Sequence, residues 1–383
     1  MVETITAARL RDWIDEGREF SLLDTRPPES YDAWHIQDAV QYTYKPDFEF
    51  DADDFRARTG LEPEDEVVTI CARGVSSFDI AKRLADSGYD HVTVVESGME
   101  GWSTVYDVVD VPTTGDVDIV QFQRRAKGCL GYLIADPKAE VAAVVDPTRH
   151  VDRFAAVASD RGYSIEFVFD THIHADHISG GRELADHVGA TYCLGADAVD
   201  RGVDYDFRAL ARNEAVAVGG VDVKAVATPG HTSEIVSYLV DGEAVLTGDT
   251  LFVDSVGRTE LQFGEGEAAA GADLLYESLH RTLLAEPDAI TVLPGHFAID
   301  ADGTADVTPG EPVLTTVGTA RTGLDLLTVD RETFVDRLTA SLPEKPPNYG
   351  TIIDINAGRR APGDEETRTE LELGPNNCAA TGD

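Results

Sequence analysis

Cysteine, lysine and long apolar runs are all scarce in this chain, and each scarcity excludes something. The four cysteines, Cys71, Cys129, Cys193 and Cys378, are far apart and form no C-x-x-C pair, so neither a zinc ribbon nor a disulfide framework is indicated. Any cysteine chemistry must come from local context. No window of about 18 apolar residues occurs, so no membrane span is expected. The first residues, MVETITAARLRDWIDEG, are amphipathic and acidic rather than basic then apolar, unlike a signal or transit peptide, and the expected location is cytoplasmic. Positive charge is short as well: 31 basic residues stand against 71 acidic ones, a formal net charge of -40. That balance offers no nucleic-acid partner. The apolar fraction of 42% is that of an ordinary globular protein, so the acidity reads as surface and not as disorder.

A chain of 383 residues can bury two cores. Residues 1–106 alternate short apolar runs (FSLLD, VVTIC, VTVVE) with amphipathic stretches, which predicts a small parallel α/β domain. Residues 107–118 are polar, contain Pro and Gly, show no sustained period and are read as a linker. From 119 to 357 the pattern becomes paired strands with helices between them, including one over Gly181 to Val188, a mixed-sheet α/β domain. Residues 358–383 are polar, acidic and rich in Gly and Pro, and read as a flexible C-terminal tail.

Cys71 ends the strand VVTIC and precedes ARGVSS and a helical pattern that begins near Phe78. A loop between a strand end and a helix start presents converging backbone N–H groups and the positive end of the helix dipole. Such a site favours thiolate over thiol and suits a nucleophile that holds sulfane sulfur as a persulfide, cradled by Ala72, Arg73, Gly74, Val75, Ser76 and Ser77. From the loop alone, a buried structural cysteine is an equal reading. The surroundings resemble the rhodanese family at three places. Asp24, Arg26, Tyr31, His35 and Ile36 match its D-x-R, Y and H-I pattern, with Ser30, Trp34 and Asp38 replacing the usual Glu, Gly and Gly. Cys71, Gly74 and Ser77 match C-x-x-G-x-x-S, and SGMEGW ends at Trp102 like the family's closing G-x-x-x-W. The resemblance implies sulfur transfer through Cys71. Ser76 stands where the family usually has a basic residue, which should weaken binding of a doubly charged donor such as thiosulfate; Arg73 is the residue able to restore the charge. A preference for persulfide donors is expected. The opposing reading, an inert interaction module, sits poorly with a retained loop cysteine.

A second constellation begins where the strand EFVFD runs into THIHADHISGG, placing His172, His174, Asp176 and His177 in one loop. Neutral imidazoles and carboxylates are ligands of borderline metals. His231 in VATPGH, Asp249 in VLTGD and His296 in VLPGH each follow an apolar strand and a turn that can expose the side chain at a sheet edge. Metal binding is the reading. His91, His150, His187 and His280 lie in charged or amphipathic stretches and are expected at the solvated surface.

The H-x-H-x-D-H, His, Asp, His series resembles the metallo-β-lactamase superfamily. The expected architecture is therefore α/β throughout: a small doubly wound rhodanese domain followed by a metallo-β-lactamase αββα sandwich. Gly257, Arg258, Thr259, Glu260, Leu261 and Gln262 are similar to the G-R-T-D-F-Q segment of the persulfide dioxygenases. That likeness implies one Fe(II) per chain on His172, His231 and Asp249, with His174, Asp176, His177 and His296 supporting ligands or contacting substrate. Arg258 is a candidate for the substrate's charge. Its substrates would be a thiol persulfide, on glutathione or another γ-glutamyl thiol, and O2, with sulfite or thiosulfate as products. Sulfur can pass from Cys71 to the thiol that feeds the iron, or from persulfide through Cys71 onto sulfite. The stretch LPEKPPNYGTIIDIN is similar to a Pro-rich segment of dioxygenases fused to rhodanese domains.

VLPGHFAID, in contrast, lacks the H-D-Y or H-E-Y usual after the last His, and all residues for a dinuclear site are present. A glyoxalase II-like thioester hydrolase with two Zn(II), four of whose ligands would be His174, Asp176, His177 and His296, is the alternative. Cys378, in LGPNNCAATGD, is read as incidental, and a homodimer is compatible with the sequence. The basic positions are mostly Arg, with lysines scattered singly as at Lys82, Lys138 and Lys224; such surfaces resemble those of salt-loving organisms, and a haloarchaeal source is expected over a mesophile that gains only solubility from the charge.

Overall fold

The computed structural model describes residues 2–300, 302–305, 307–340, 342, 345–376 and 378–380. Pro343 and Glu344 of the Pro-rich segment, and Asn377 and residues 381–383 of the expected tail, lie outside them.

Short runs of Val, Leu and Ile build a five-stranded, all-parallel sheet in the order Glu3–Ile5, Val92–Val95, Val67–Ile70, Ser21–Asp24 and Val40–Gln41. Parallel strands need covering on both faces. Two separate clusters do this: Leu10, Trp13, Val68 and Trp102 on one side, and Leu23, Phe55, Ile80 and Leu84 on the other. This is the small parallel α/β domain the alternation predicts, doubly wound as the resemblance of its motifs implies.

The following domain stacks a seven-stranded sheet on a six-stranded one. Ile119, Tyr132, Val145 and Phe169 of the first sheet interdigitate with Val223, Tyr238, Leu246 and Leu293 of the second. Outside, the helices Val151–Asp160 and Gly181–Val188 cover the larger sheet through Phe154 and Leu184. The helices Ala268–Arg281 and Arg331–Ala340 cover the smaller one through Leu275, Leu279 and Phe334. The result is the αββα sandwich.

Two expectations are corrected. Residues 107–118 are not simply a linker: Tyr106–Val111 forms an antiparallel edge strand against Asp118–Arg124. Its apolar alternation is short and interrupted by acids, yet Tyr106, Val109 and Val111 are buried while Val108 is exposed, as a half-covered strand requires. The C-terminal segment is not a loose tail either. It forms the helix Glu365–Leu371 and then buries Glu372 and Cys378 completely. A polar composition hid this because the stabilising partners, Arg124 and Arg149, lie more than 200 residues away in sequence.

Candidate functional site

The strand Val67–Ile70 delivers Cys71 to a tight loop, and the next helix, Val75–Asp86, starts three residues before Phe78. The early start folds Ser76 and Ser77 back over the sulfur. Gly74, at φ +83°, adopts a left-handed turn that an L side chain would strain, and its N–H donates to Cys71 Sγ at 3.0 Å. The Ser77 hydroxyl donates to the same sulfur at 3.3 Å. Burial works against the thiolate. The hydroxyls of Ser76 and Ser77 and the backbone N–H groups of Ser77 and Arg73 outweigh it, so the Cys71 thiol sits below its ordinary pKa. Ala72 and Val75 remain exposed, leaving the loop open to solvent.

The D-x-R pair is structural. Arg26 Nη2 lies 2.6 Å from Asp24, both buried, and donates to the Trp34 carbonyl at 2.7 Å. The Arg73 guanidinium is held by Glu100, Glu366 and Glu370.

About the sandwich, four residues of the second constellation follow strand ends. His172 follows Ser164–Phe169, His231 follows Val221–Ala227, Asp249 follows Ala244–Gly248 and His296 follows Thr291–Pro294. All are buried. His231 Nδ1–H donates to the Arg258 carbonyl at 2.7 Å, which leaves Nε2 as a lone pair facing Asp249 Oδ2 at 3.4 Å. Thr171 Oγ1 donates to Asp146 and lies 2.9 Å from His172 Nδ1, so the His172 Nε2 lone pair also turns inward. Burial, with the neighbouring His174, holds His172 well below its ordinary pKa and therefore neutral. Ligand atoms of His172, His231 and Asp249 all lie within 4.8 Å of one another, and His172 Nε2 and Asp249 Oδ2 are buried without a hydrogen-bond partner. Two imidazoles and a carboxylate, with inward atoms left unsatisfied, fit a metal ion.

The remaining motif residues do different things. His174 Nε2 is 3.2 Å from Asp146 and falls outside the His172, His231, Asp249 group. His296 lies between two carboxylates, with Nδ1 2.8 Å from Asp249 Oδ1 and Nε2 3.0 Å from Asp176 Oδ2. Burial alone would lower its pKa, but Asp249 and Asp176 raise it far above the ordinary value, so it is an imidazolium when no ion competes. Cys129, Asp176, His177 and His296 form a second buried group within 4.8 Å, in which Cys129 Sγ is 3.3 Å and His177 Nδ1 3.2 Å from Asp176. Arg258 is buried, and its guanidinium is held by Glu260. Gly257 has its place for a steric reason: a Cβ there would lie 1.8 Å from the Asp249 carbonyl. A cavity of about 180 Å³ walled by Val253, Asp254, Phe297 and Val313 touches His296 from outside.

Sequence reading missed the supports of the metal-site loop. Glu234 accepts from Ile173 N, Glu372 from Ile178 N, and Asn356 Nδ2 donates to the carbonyls of His174 and His177. Asp146 holds Thr171 N at 2.7 Å. Cys378, expected to be incidental, is buried against Asp249 and His296, where burial and the charges of Asp176 and Asp249 raise its pKa. Of the four histidines expected at the surface, His91 and His187 are there. His150 instead packs on the Tyr106 hydroxyl, and burial, with Arg124 and Arg149, lowers its pKa to about 3. His280 stacks on Tyr276 and bonds to the Leu327 carbonyl.

Residues 6–104 match the family described as the rhodanese-like domain, and residues 124–296 match the metallo-beta-lactamase superfamily. A rhodanese-like domain precedes a metallo-beta-lactamase-superfamily domain in this chain. Similar proteins include hydroxyacylglutathione hydrolases of Brucella ovis and Brucella abortus, each 31% identical over 186 residues, 48% of this chain. The match spans 64% of those curated relatives, less than two thirds of their length. Among solved structures, a metallo-beta-lactamase from Staphylococcus aureus subsp. aureus COL is 26% identical, with a TM-score of 0.57, over 63% of this chain and 73% of its own. ETHE1 from Myxococcus xanthus is 29% identical, with a TM-score of 0.54, over 62% of this chain and 97% of its own. No helix among the described residues is long and apolar enough to cross a membrane.

Proposed function

We propose that the metallo-beta-lactamase-superfamily domain is a mononuclear iron persulfide dioxygenase and that the rhodanese-like domain moves sulfane sulfur through Cys71. The observation that carries this is the selection within the motif: His172, His231 and Asp249 converge, while His174 is turned to Asp146 and His296 is held between Asp249 and Asp176. The likeness to ETHE1 supports a persulfide dioxygenase-like fold. His172, His231 and Asp249 would hold an Fe(II) ion, which would supply the chemistry that joins O2 to a persulfide sulfur. The chain's own residues prepare that centre. Thr171 and the Arg258 carbonyl fix the orientations of His172 and His231, and His296 fixes the Asp249 carboxylate. The wall of Val253, Phe297 and Val313 suits the apolar part of a small thiol.

A second reading, a dinuclear zinc thioester hydrolase, is favoured by the likeness to hydroxyacylglutathione hydrolases and by the grouping of Cys129, Asp176, His177 and His296. The two are separated by giving the same preparation a thiol persulfide and a glutathione thioester. Persulfide-dependent O2 uptake without thioester cleavage is expected; thioester cleavage without O2 uptake would replace the first reading with the second.

A further inference from the structure

The helix Glu365–Leu371 reaches across to the Cys71 loop. Arg73, the one cation of that loop, is 2.6 Å from Glu366 and 3.0 Å from Glu370 on this helix, and 2.5 Å from Glu100 of its own domain. All three guanidinium nitrogens are engaged. The anchor behind the helix is firm, because Glu372 is buried on Arg124, Arg149 and the Ile178 amide. On the loop that carries Cys71, one positive charge therefore faces three negative ones. Ser76 adds no compensating charge.

We infer that this acidic strap closes Cys71 to doubly charged sulfur oxyanions and makes it a thiol-to-thiol sulfur carrier. The inference rests on the reading of Cys71 as a sulfur-carrying nucleophile. With thiosulfate, the Cys71 thiolate attacks the outer sulfur, the S–S bond breaks, the Cys71 persulfide forms and sulfite leaves with the bonding pair. The reverse step brings sulfite to the Cys71 persulfide and releases thiosulfate. Both directions place a dianion, its charge concentrated within one bond of the reacting sulfur, against the excess carboxylates. A thiol persulfide delivers the same sulfur with a thiolate as leaving group, one charge at the reacting end. Of the two routes open to Cys71, the strap thus selects delivery to a low-molecular-weight thiol over synthesis of thiosulfate.

The side chains concerned are 47% exposed at Arg73, 62% at Glu366 and 59% at Glu370, so the repulsion is screened by salt and the fold does not depend on it. The test compares the full-length protein with its Glu366→Gln/Glu370→Gln variant. Sulfur transfer is measured from thiosulfate to cyanide and from a thiol persulfide to a thiol, at low and high salt. At low salt the variant's kcat/KM for thiosulfate should rise about tenfold, while persulfide transfer stays within about twofold. Added salt should raise thiosulfate transfer in the wild type and much less in the variant. Equal wild-type rates from both donors at low salt, or no gain for thiosulfate in the variant, would overturn the strap while leaving Cys71 as carrier. Failure of the wild type to move sulfur from a persulfide would overturn the reading of Cys71 and the strap with it.

Discussion

The Cys71 loop and the metal-site loop are both strand-end sites in which a reactive atom faces hydrogen-bond donors or ligands, yet they are built in opposite ways. The first is local. Cys71, Gly74 and Ser77 lie within seven residues, and the contacts that tune the sulfur come from the same turn. The second is assembled from afar, with His172, His231 and Asp249 on three strand ends and their supports at Asp146, Glu234, Asn356 and Glu372. A local site survives damage elsewhere, whereas a distributed one depends on the whole sandwich.

The largest test of that contrast exchanges the two losses. Cys71→Ala should lower sulfur transfer about a thousandfold and leave persulfide-dependent O2 uptake intact; Asp249→Ala should lower O2 uptake at least about 100-fold, with iron lost, and leave sulfur transfer intact. Parallel assays on both variants check this. If either change silenced both reactions, the sites would not be separable.

Glu372→Gln comes next. It leaves Arg124 and Arg149 buried without their full counter-charge and loosens the metal-site loop, so unfolding should become easier by about 3–5 kcal/mol in denaturant titrations. The same group gives a pH signature. Burial would raise the Glu372 pKa, but Arg124 and Arg149 hold it at about 2 against an ordinary 4.5. Its contribution is therefore complete above 4.5 and lost as pH falls toward 2, and the variant's stability curve should be flatter across that window.

A smaller effect sharpens the local side. Ser77→Ala removes a donor from Cys71 Sγ, so the midpoint of alkylation rate against pH should move up, with no change in iron content. The smallest concerns the surface. With a net charge of -40, thermal unfolding should shift upward by a few degrees as salt screens the carboxylates.

The same contrast explains what was legible in the sequence. The two-domain order and the α/β class of each domain follow from hydrophobic period, while the doubly wound sheet and the αββα sandwich are what the two motif resemblances imply. The loop around Cys71 could be drawn almost completely, although its helix begins at Val75 and not near Phe78. The chemistry-bearing residues of the second constellation were also visible: His172, His174, Asp176 and His177 crowd into one loop, and His231, Asp249 and His296 each follow a Gly. What could not be read was pairing over long separations. Glu372 looked like one more acid in a polar tail, and only folding brings it to Arg124, Arg149 and Ile178. Cys129 and Cys378 carried no spacing signal at all, yet they flank His296. Tyr106–Val111 was lost as a strand because acids interrupt its alternation.

The most direct measurement of the central claim is the metal content of protein purified without oxygen. The selection of His172, His231 and Asp249 predicts about one iron per chain, retained in His174→Ala and lost in His172→Ala. About two zinc per chain, with the loss of one in His174→Ala, would contradict it and turn the centre into that of a hydrolase.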